Sequence, residues 1–207
     1  MVSREPGSMR PGVLVLHPWW GLNADVRASA ERLRREGYQV ETPDLFGGRV
    51  ATTIEEAKAL SGDADRTWQS SMAKVEDKFK KLGAQADPIA VLAWSMGVWY
   101  SWKLAQAHPD RIKGVVSYYG YGEIEPDKSL PPVLGHFAEN DEFEALDDVR
   151  AAEKAVKESG GVVQFHVYPG TKHWFDEPSR PEYDKAASEL AWHRTTAFLD
   201  TQLRRSV

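Results

Sequence analysis

Residues 88–100 read PIAVLAWSMGVWY: an apolar run of strand length, one serine, and a helical pattern that begins at once. Only a very tight turn can join the two, and it needs small residues two before and two after its centre. Ala93 and Gly97 stand there around Ser95. A serine so placed projects from a sheet at the amino end of a helix, where the dipole and free N–H groups favour developing negative charge. It can act as a nucleophile toward a carbonyl. That chemistry also needs an acid and then a histidine, each in a loop after a later strand. Residues 132–138 (PVLGHFA) lead into Glu139, Asn140, Asp141 and Glu142, and residues 162–168 (VVQFHVY) lead into PGTKHWF, which holds His173. Asp141 can accept the ring N–H of His173, whose other nitrogen takes the proton of Ser95. Two N–H donors for the tetrahedral oxyanion are expected from Met96, directly after the nucleophile, and from residues 17–23 (HPWWGLN). In that loop Pro18 has no N–H, so Trp19 is the candidate.

Each of these residues has a plainer use. A serine between a strand and a helix is most often an N-cap. Glu139, Glu142 and Glu144 compete with Asp141 for the role of acid, and short acidic loops are often merely solvated. Trp19 and Trp20 can be packing aromatics, which leaves a backbone donor at Trp19 untouched. His173 could be structural, yet the other five histidines fit worse. His108 falls in a last helical turn, His136 and His166 inside strands, His193 on the final helix, and His17 beside Pro18, where a structural role is expected. No histidine pair has a zinc spacing and the chain has no Cys, so neither a metal nor a cofactor is expected.

The elements that must position these residues follow from the pattern of the whole chain. Short apolar runs at 13–17, 38–42, 88–94, 114–119, 132–138 and 162–168 have the length of strands buried on both faces. They alternate with helical segments near 24–36, 65–82, 96–108, 144–159 and 182–203. This predicts an α/β fold, a mostly parallel central sheet with helices on both faces, and function at the carboxyl ends of the strands. Residues 1–11 read as a polar, tag-like lead and 12–207 as a single domain. With 207 residues, 31 Asp+Glu against 26 Lys+Arg and a net charge of −5, the chain has no basic surface suited to nucleic acid. No run approaches the roughly 18 apolar residues of a membrane span, and the amino-terminal residues lack a secretory apolar core, so a cytoplasmic location is expected. The run KVEDKFKK, residues 74–81, mixes charge signs at helical spacing and reads as a solvated face.

From about Gly12 to Leu203 the chain resembles the dienelactone hydrolase family of α/β hydrolases. The likeness rests on VLVLHPWWGLN, TPDLFGGR (42–49), the turn around Ser95, VVSYYGYG (115–122), AEND and GTKHWF, with Arg180, Tyr183, Trp192, Arg194, Thr195 and Phe198 in the tail. It implies a cofactor-free hydrolase that cleaves small carboxylic esters or lactones through an acyl group on Ser95. Trp20, Trp94, Tyr118, Tyr119 and Trp174 are expected to wall an aromatic pocket, some of them serving the core instead. The chain departs from the family's type enzymes, which carry Cys where Ser95 stands, Glu at Pro18, and a substrate-binding Arg at Glu177. A carboxylate at Glu177 is expected to repel anionic substrates and favour neutral ones, unless Arg49, Arg66 or Arg180, the last only three residues beyond Glu177, swings in as a cationic anchor. The resemblance implies a small-molecule partner, and a monomer or homodimer. Two other readings of the same residues are a small-molecule-binding homologue without turnover and an acyltransferase or perhydrolase.

Overall fold

The central apolar runs fold as strands because both of their faces are covered, so no polar alternation is needed, whereas the runs at the two sheet edges, 39–41 and 163–168, are partly exposed and depart from the expected burial on both faces. The computed structural model describes residues 9–204. In chain order the elements are β1 (Arg10–Leu16), α1 (Ala24–Arg35), β2 (Gln39–Glu41), α2 (Ile54–Arg66), α3 (Trp68–Gly83), β3 (Ala86–Trp94) and α4 (Met96–Ala107), then β4 (Ile112–Tyr118), β5 (Val133–Ala138), α5 (Leu146–Glu158), β6 (Val163–Tyr168) and α6 (Lys185–Leu203). The strands form one sheet in the order β2-β1-β3-β4-β5-β6, every pair parallel. Two close approaches show how the helices divide between its faces. A Cβ on Gly12 would meet Leu82 of α3, and one on Gly114 would meet Phe198 of α6. Gly12 lies level with Ile89, whereas Gly114 lies level with the next residue, Ala90, so the two positions face opposite sides and α3 and α6 cover opposite faces.

From β1 the chain goes one way to β2 and the other way to β3, so the order reverses between β1 and β3. Loops leaving neighbouring strands on either side of such a point diverge and leave a crevice at the carboxyl edge. The loop after β1 carries Trp19 and the turn after β3 carries Ser95, so the fold opens its crevice between these two residues.

Three features differ from the sequence expectation. Residues 54–66, to which the sequence pattern assigns no element before residue 65, form α2, started by a capping box. The Thr53 hydroxyl accepts the Glu56 N–H, and the Glu56 carboxylate accepts the Thr53 N–H. The helix expected at 65–82 is α3, which begins at Trp68, because residues 65 and 66 are the last of α2 and Thr67 parts the two. The polar lead also ends sooner than residue 11, since Arg10 already pairs with Ala86 in the sheet. Residues 1–8 of that lead lie outside the described residues. Among the described residues no helix is long and apolar enough to cross a membrane.

Candidate active site

Ser95 joins β3 to α4 with φ 46° and ψ −122°, a backbone conformation that costs a non-glycine residue about 1–3 kcal/mol. The surroundings hold it there. The Ser95 N–H donates to Tyr118 O at 2.9 Å and the Ser95 carbonyl accepts the Val98 N–H at 2.8 Å. Gly97 is required by space: a Cβ there would sit 2.7 Å from the His17 carbonyl oxygen and 2.9 Å from that of Leu16. The amino end of α4 thus lies directly on the end of β1. The hydroxyl of Ser95 makes no helix-capping bond; Oγ is 3.1 Å from His173 Nε2. This separates Ser95 from the ordinary N-cap that its position also allowed.

His173 is buried and held from its other ring nitrogen: Nδ1 lies 2.9 and 2.8 Å from the two carboxylate oxygens of Asp141. The rings of Tyr119 and Phe143 pack against the imidazole with centroids at 4.7 and 4.9 Å. The Asp141 side chain is 1% exposed, and its Oδ1 also accepts the N–H groups of Phe143 (2.9 Å) and Glu144 (3.0 Å). Of the acidic neighbours, Glu139 is turned elsewhere and accepts the Gly170 N–H at 2.8 Å, while Glu142 is exposed. Glu144 is the carboxyl group that feels Asp141; burial, and then the charge of Asp141, push it up to about 7. Asp141, His173 and Ser95 therefore stand in one hydrogen-bonded series. Such a series can move a proton from a hydroxyl to an imidazole while the carboxylate holds the ring.

Among the described residues, neither the Met96 N–H nor the Trp19 N–H has an acceptor. They come from the two sides of the crevice, the first at the helix terminus after the Ser95 turn and the second on the loop that Gly97 brings close. The dienelactone hydrolase family profile matches residues 1–203. The chain belongs to the dienelactone hydrolase family. It is 30% identical over 208 residues to protein usf of Aquifex pyrophilus, covering 93% of this chain and 89% of that one. A second relative, from Aquifex aeolicus and provisionally named a carboxymethylenebutenolidase, is 27% identical over 213 residues, 94% of this chain and 89% of its own length. Among solved structures, a dienelactone hydrolase-like promiscuous phosphotriesterase from metagenomic libraries superposes with a TM-score of 0.81. The match has 18% identity and covers 96% of this chain and 89% of that one, a likeness of fold. Family membership makes this chain a hydrolase.

In this dienelactone hydrolase family member, the aromatic wall differs from the one expected. Trp94 and Tyr118 stack on each other at 5.3 Å and are buried beneath the site. The Trp94 indole N–H donates to Asp176 at 2.9 Å, and Tyr118 OH lies 2.9 Å from Thr195 Oγ1. Tyr119, Trp20 and Trp174 are also buried, and act as backing for His173 and the Trp19 loop. The aromatic side chain that is open to solvent beside His173 is Phe143, 48% exposed and 5.5 Å from Trp19. Its place two residues after Asp141 is the sequence signal for it.

Glu177 also overturns its expectation. It is 2% exposed, its Oε1 accepts the Tyr119 hydroxyl at 2.9 Å, and burial pushes its carboxyl up to about 8. At neutral pH it is mostly protonated, so the expected repulsion of anionic substrates has no charge behind it. Arg180 lies over the rings of Trp20 (3.9 Å) and Trp174 (5.0 Å), where its cation is attracted to the ring faces and links the two loops. Burial likewise pushes Asp176 up to about 7. These two acids keep their protons in the folded chain to pH values where the unfolded chain, with carboxyl groups near 4, has lost them. Between about pH 5 and 8 the folded state binds more protons, so stability falls as pH rises, by at most about 1.4 kcal/mol per pH unit for each group. Thermal denaturation across this range should show Tm falling toward alkaline pH, with a shallower fall in Glu177→Gln. An unchanged slope in that variant would mean that Glu177 does not titrate there.

Proposed function

We propose that this hydrolase cleaves small carboxylic esters or lactones through an acyl-enzyme on Ser95. The observation that carries the reading is the series Asp141–His173–Ser95, in which Oγ lies 3.1 Å from Nε2 on a strained turn that holds it away from helix capping. In the first half-reaction the Ser95 proton passes to His173 Nε2 as Oγ bonds to the substrate carbonyl carbon. The carbonyl oxygen becomes an oxyanion and takes the Met96 and Trp19 N–H groups as donors. Collapse breaks the bond to the alkoxy group, which leaves with the proton from His173. In a lactone that group remains tethered to the acyl chain. Water then repeats the sequence, its proton going to His173 and its oxygen to the acyl carbon, and Ser95 leaves with the proton restored. Lactones belong in the substrate class because a carboxymethylenebutenolidase, the activity in the provisional name of the Aquifex aeolicus relative, opens an ester bond within a ring. A cytoplasmic location is part of the proposal, since a chain without cysteine needs no oxidising compartment.

The test is covalent. A fluorophosphonate should add one phosphonyl group per chain, with fluoride leaving, and peptide mapping should place it on Ser95. His173→Ala should slow the labelling at least about a hundredfold, the scale of general-base assistance. A chain that stays unmodified under conditions that label other serine hydrolases would favour a binding protein without turnover.

A further inference from the structure

On the reading that Trp19 donates to the oxyanion, we propose that His17 is a positioning residue that aims the Trp19 N–H into the crevice. His17 is completely buried at the end of β1, and both ring nitrogens are engaged. Nδ1 lies 2.7 Å from Pro18 O, which can only accept, so Nδ1 carries the hydrogen. Nε2 lies 3.1 Å from the backbone N of Leu45, which can only donate, so Nε2 presents its lone pair. One neutral tautomer satisfies both bonds, and burial, which holds the ring down to about 4, keeps it neutral.

The consequence lies one atom further along the chain. Pro18 O also accepts the Gly21 N–H at 3.1 Å, so that carbonyl is fixed from two sides. The Pro18–Trp19 peptide is planar and trans, so its N–H points opposite to its carbonyl. Drawing the carbonyl onto His17 therefore turns the Trp19 N–H away from His17, and that N–H has no acceptor among the described residues. The loop cannot retreat from the nucleophile, because the His17 backbone oxygen is in close contact with Gly97 at the start of α4. Nor can the ring swing freely: Leu45 belongs to the segment 42–49, braced by Asp44 accepting the Phe46 N–H at 3.0 Å and by Lys74 Nζ donating to Leu45 O at 3.0 Å. The TPDLFGGR stretch thus acquires a role. It holds the far side of the imidazole whose near side sets a peptide plane.

The two bonds can be removed separately. An asparagine amide can replace Nδ1–H as donor to Pro18 O, whereas a glutamine reaches toward Leu45 and leaves that carbonyl held by the Gly21 N–H alone. His17→Gln should lower kcat for an ester about ten- to hundredfold, less than the loss from deleting an oxyanion donor. KM should stay within about threefold, and fluorophosphonate labelling of Ser95 should slow by a factor similar to that in kcat. His17→Asn should recover most of both rates even where its Tm is no higher than that of the glutamine variant. Equal losses in the two variants, or an effect on Tm alone, would overturn the assignment. If neither variant folds, nitrogen-15 shifts of His17 in the unmodified chain decide the matter: a hydrogen on Nδ1 supports the proposal, and one on Nε2 refutes it. Wild-type protein that fails to label would remove the hydrolase reading beneath the inference, whereas wild type and His17→Gln labelling equally fast would remove the inference alone.

Discussion

Ser95→Ala is expected to lower kcat/KM for an activated ester by about 10⁴- to 10⁶-fold, and His173→Ala by a similar factor. The reason is that neither side chain has an independent chemical role. Without Oγ no acyl-enzyme forms, and without Nε2 the hydroxyl keeps its proton, because among the described residues no other base is hydrogen-bonded to it. The double variant should be little worse than either single one, since the second substitution disables a series already broken. Stability should change little in Ser95→Ala. Both residues have a Cβ and so bear the same strain at φ 46°, and the bond lost joins two half-exposed or buried groups without leaving a charge behind. Kinetics on the purified variants, together with intact mass before and after fluorophosphonate, test the prediction. Activity above about a hundredth of wild type in Ser95→Ala, with contamination excluded, would assign the nucleophile elsewhere.

The chemistry around Ser95 is legible in the sequence because the constraint is local. A strand that becomes a helix within one residue has room only for small residues at positions two away on either side, and Gly97 shows why, pressed against the carbonyls of Leu16 and His17. The acid is less legible. Four carboxylates fall within six residues, and only the fold shows that Glu139 reaches across to Gly170 while Asp141 turns inward to His173. Glu177 was legible as a residue type and misleading as a charge. Ionisation depends on burial against Tyr119, and nothing in a string of letters measures that. The two helices at residues 54–83 show another limit. Thr53 and Glu56 spell a capping box, but its signal is four residues long, and the mixed-charge pattern after residue 65 dominated the periodicity. Trp94 and Tyr118 read from the sequence as pocket walls, and the fold buries them instead. Which face of the sheet's edge they occupy depends on their bonds to Asp176 and Thr195, residues 82 and 77 positions away.

Asp141→Asn is expected to lower kcat by about 10⁴-fold, the scale seen when an orienting aspartate in such a series becomes its amide. Oδ1 of Asp141 is already claimed by the N–H groups of Phe143 and Glu144, which can only donate, so in the variant the amide oxygen keeps that place. The amide nitrogen must then occupy the position of Oδ2, the nearer oxygen at 2.8 Å from His173 Nδ1, and set a donor there in competition with the amide oxygen at 2.9 Å, which is shared with two N–H groups. The imidazole responds by moving its hydrogen to Nε2, and the nitrogen facing Ser95 loses the lone pair that makes it a base. Neighbouring acids cannot restore it. Glu139 is bonded to Gly170, and among the described residues the His173 ring is hydrogen-bonded to Asp141 and Ser95 and not to Glu144. Glu139→Gln should therefore cost less than about tenfold, since its remaining oxygen can still accept the Gly170 N–H. Measured side by side under saturating ester, the two variants should differ in kcat by about a thousandfold with KM little changed. The reverse order, a silent Asp141→Asn and a damaged Glu139→Gln, would transfer the orienting role to Glu139 and require the loop after β5 to adopt a different arrangement in the working enzyme.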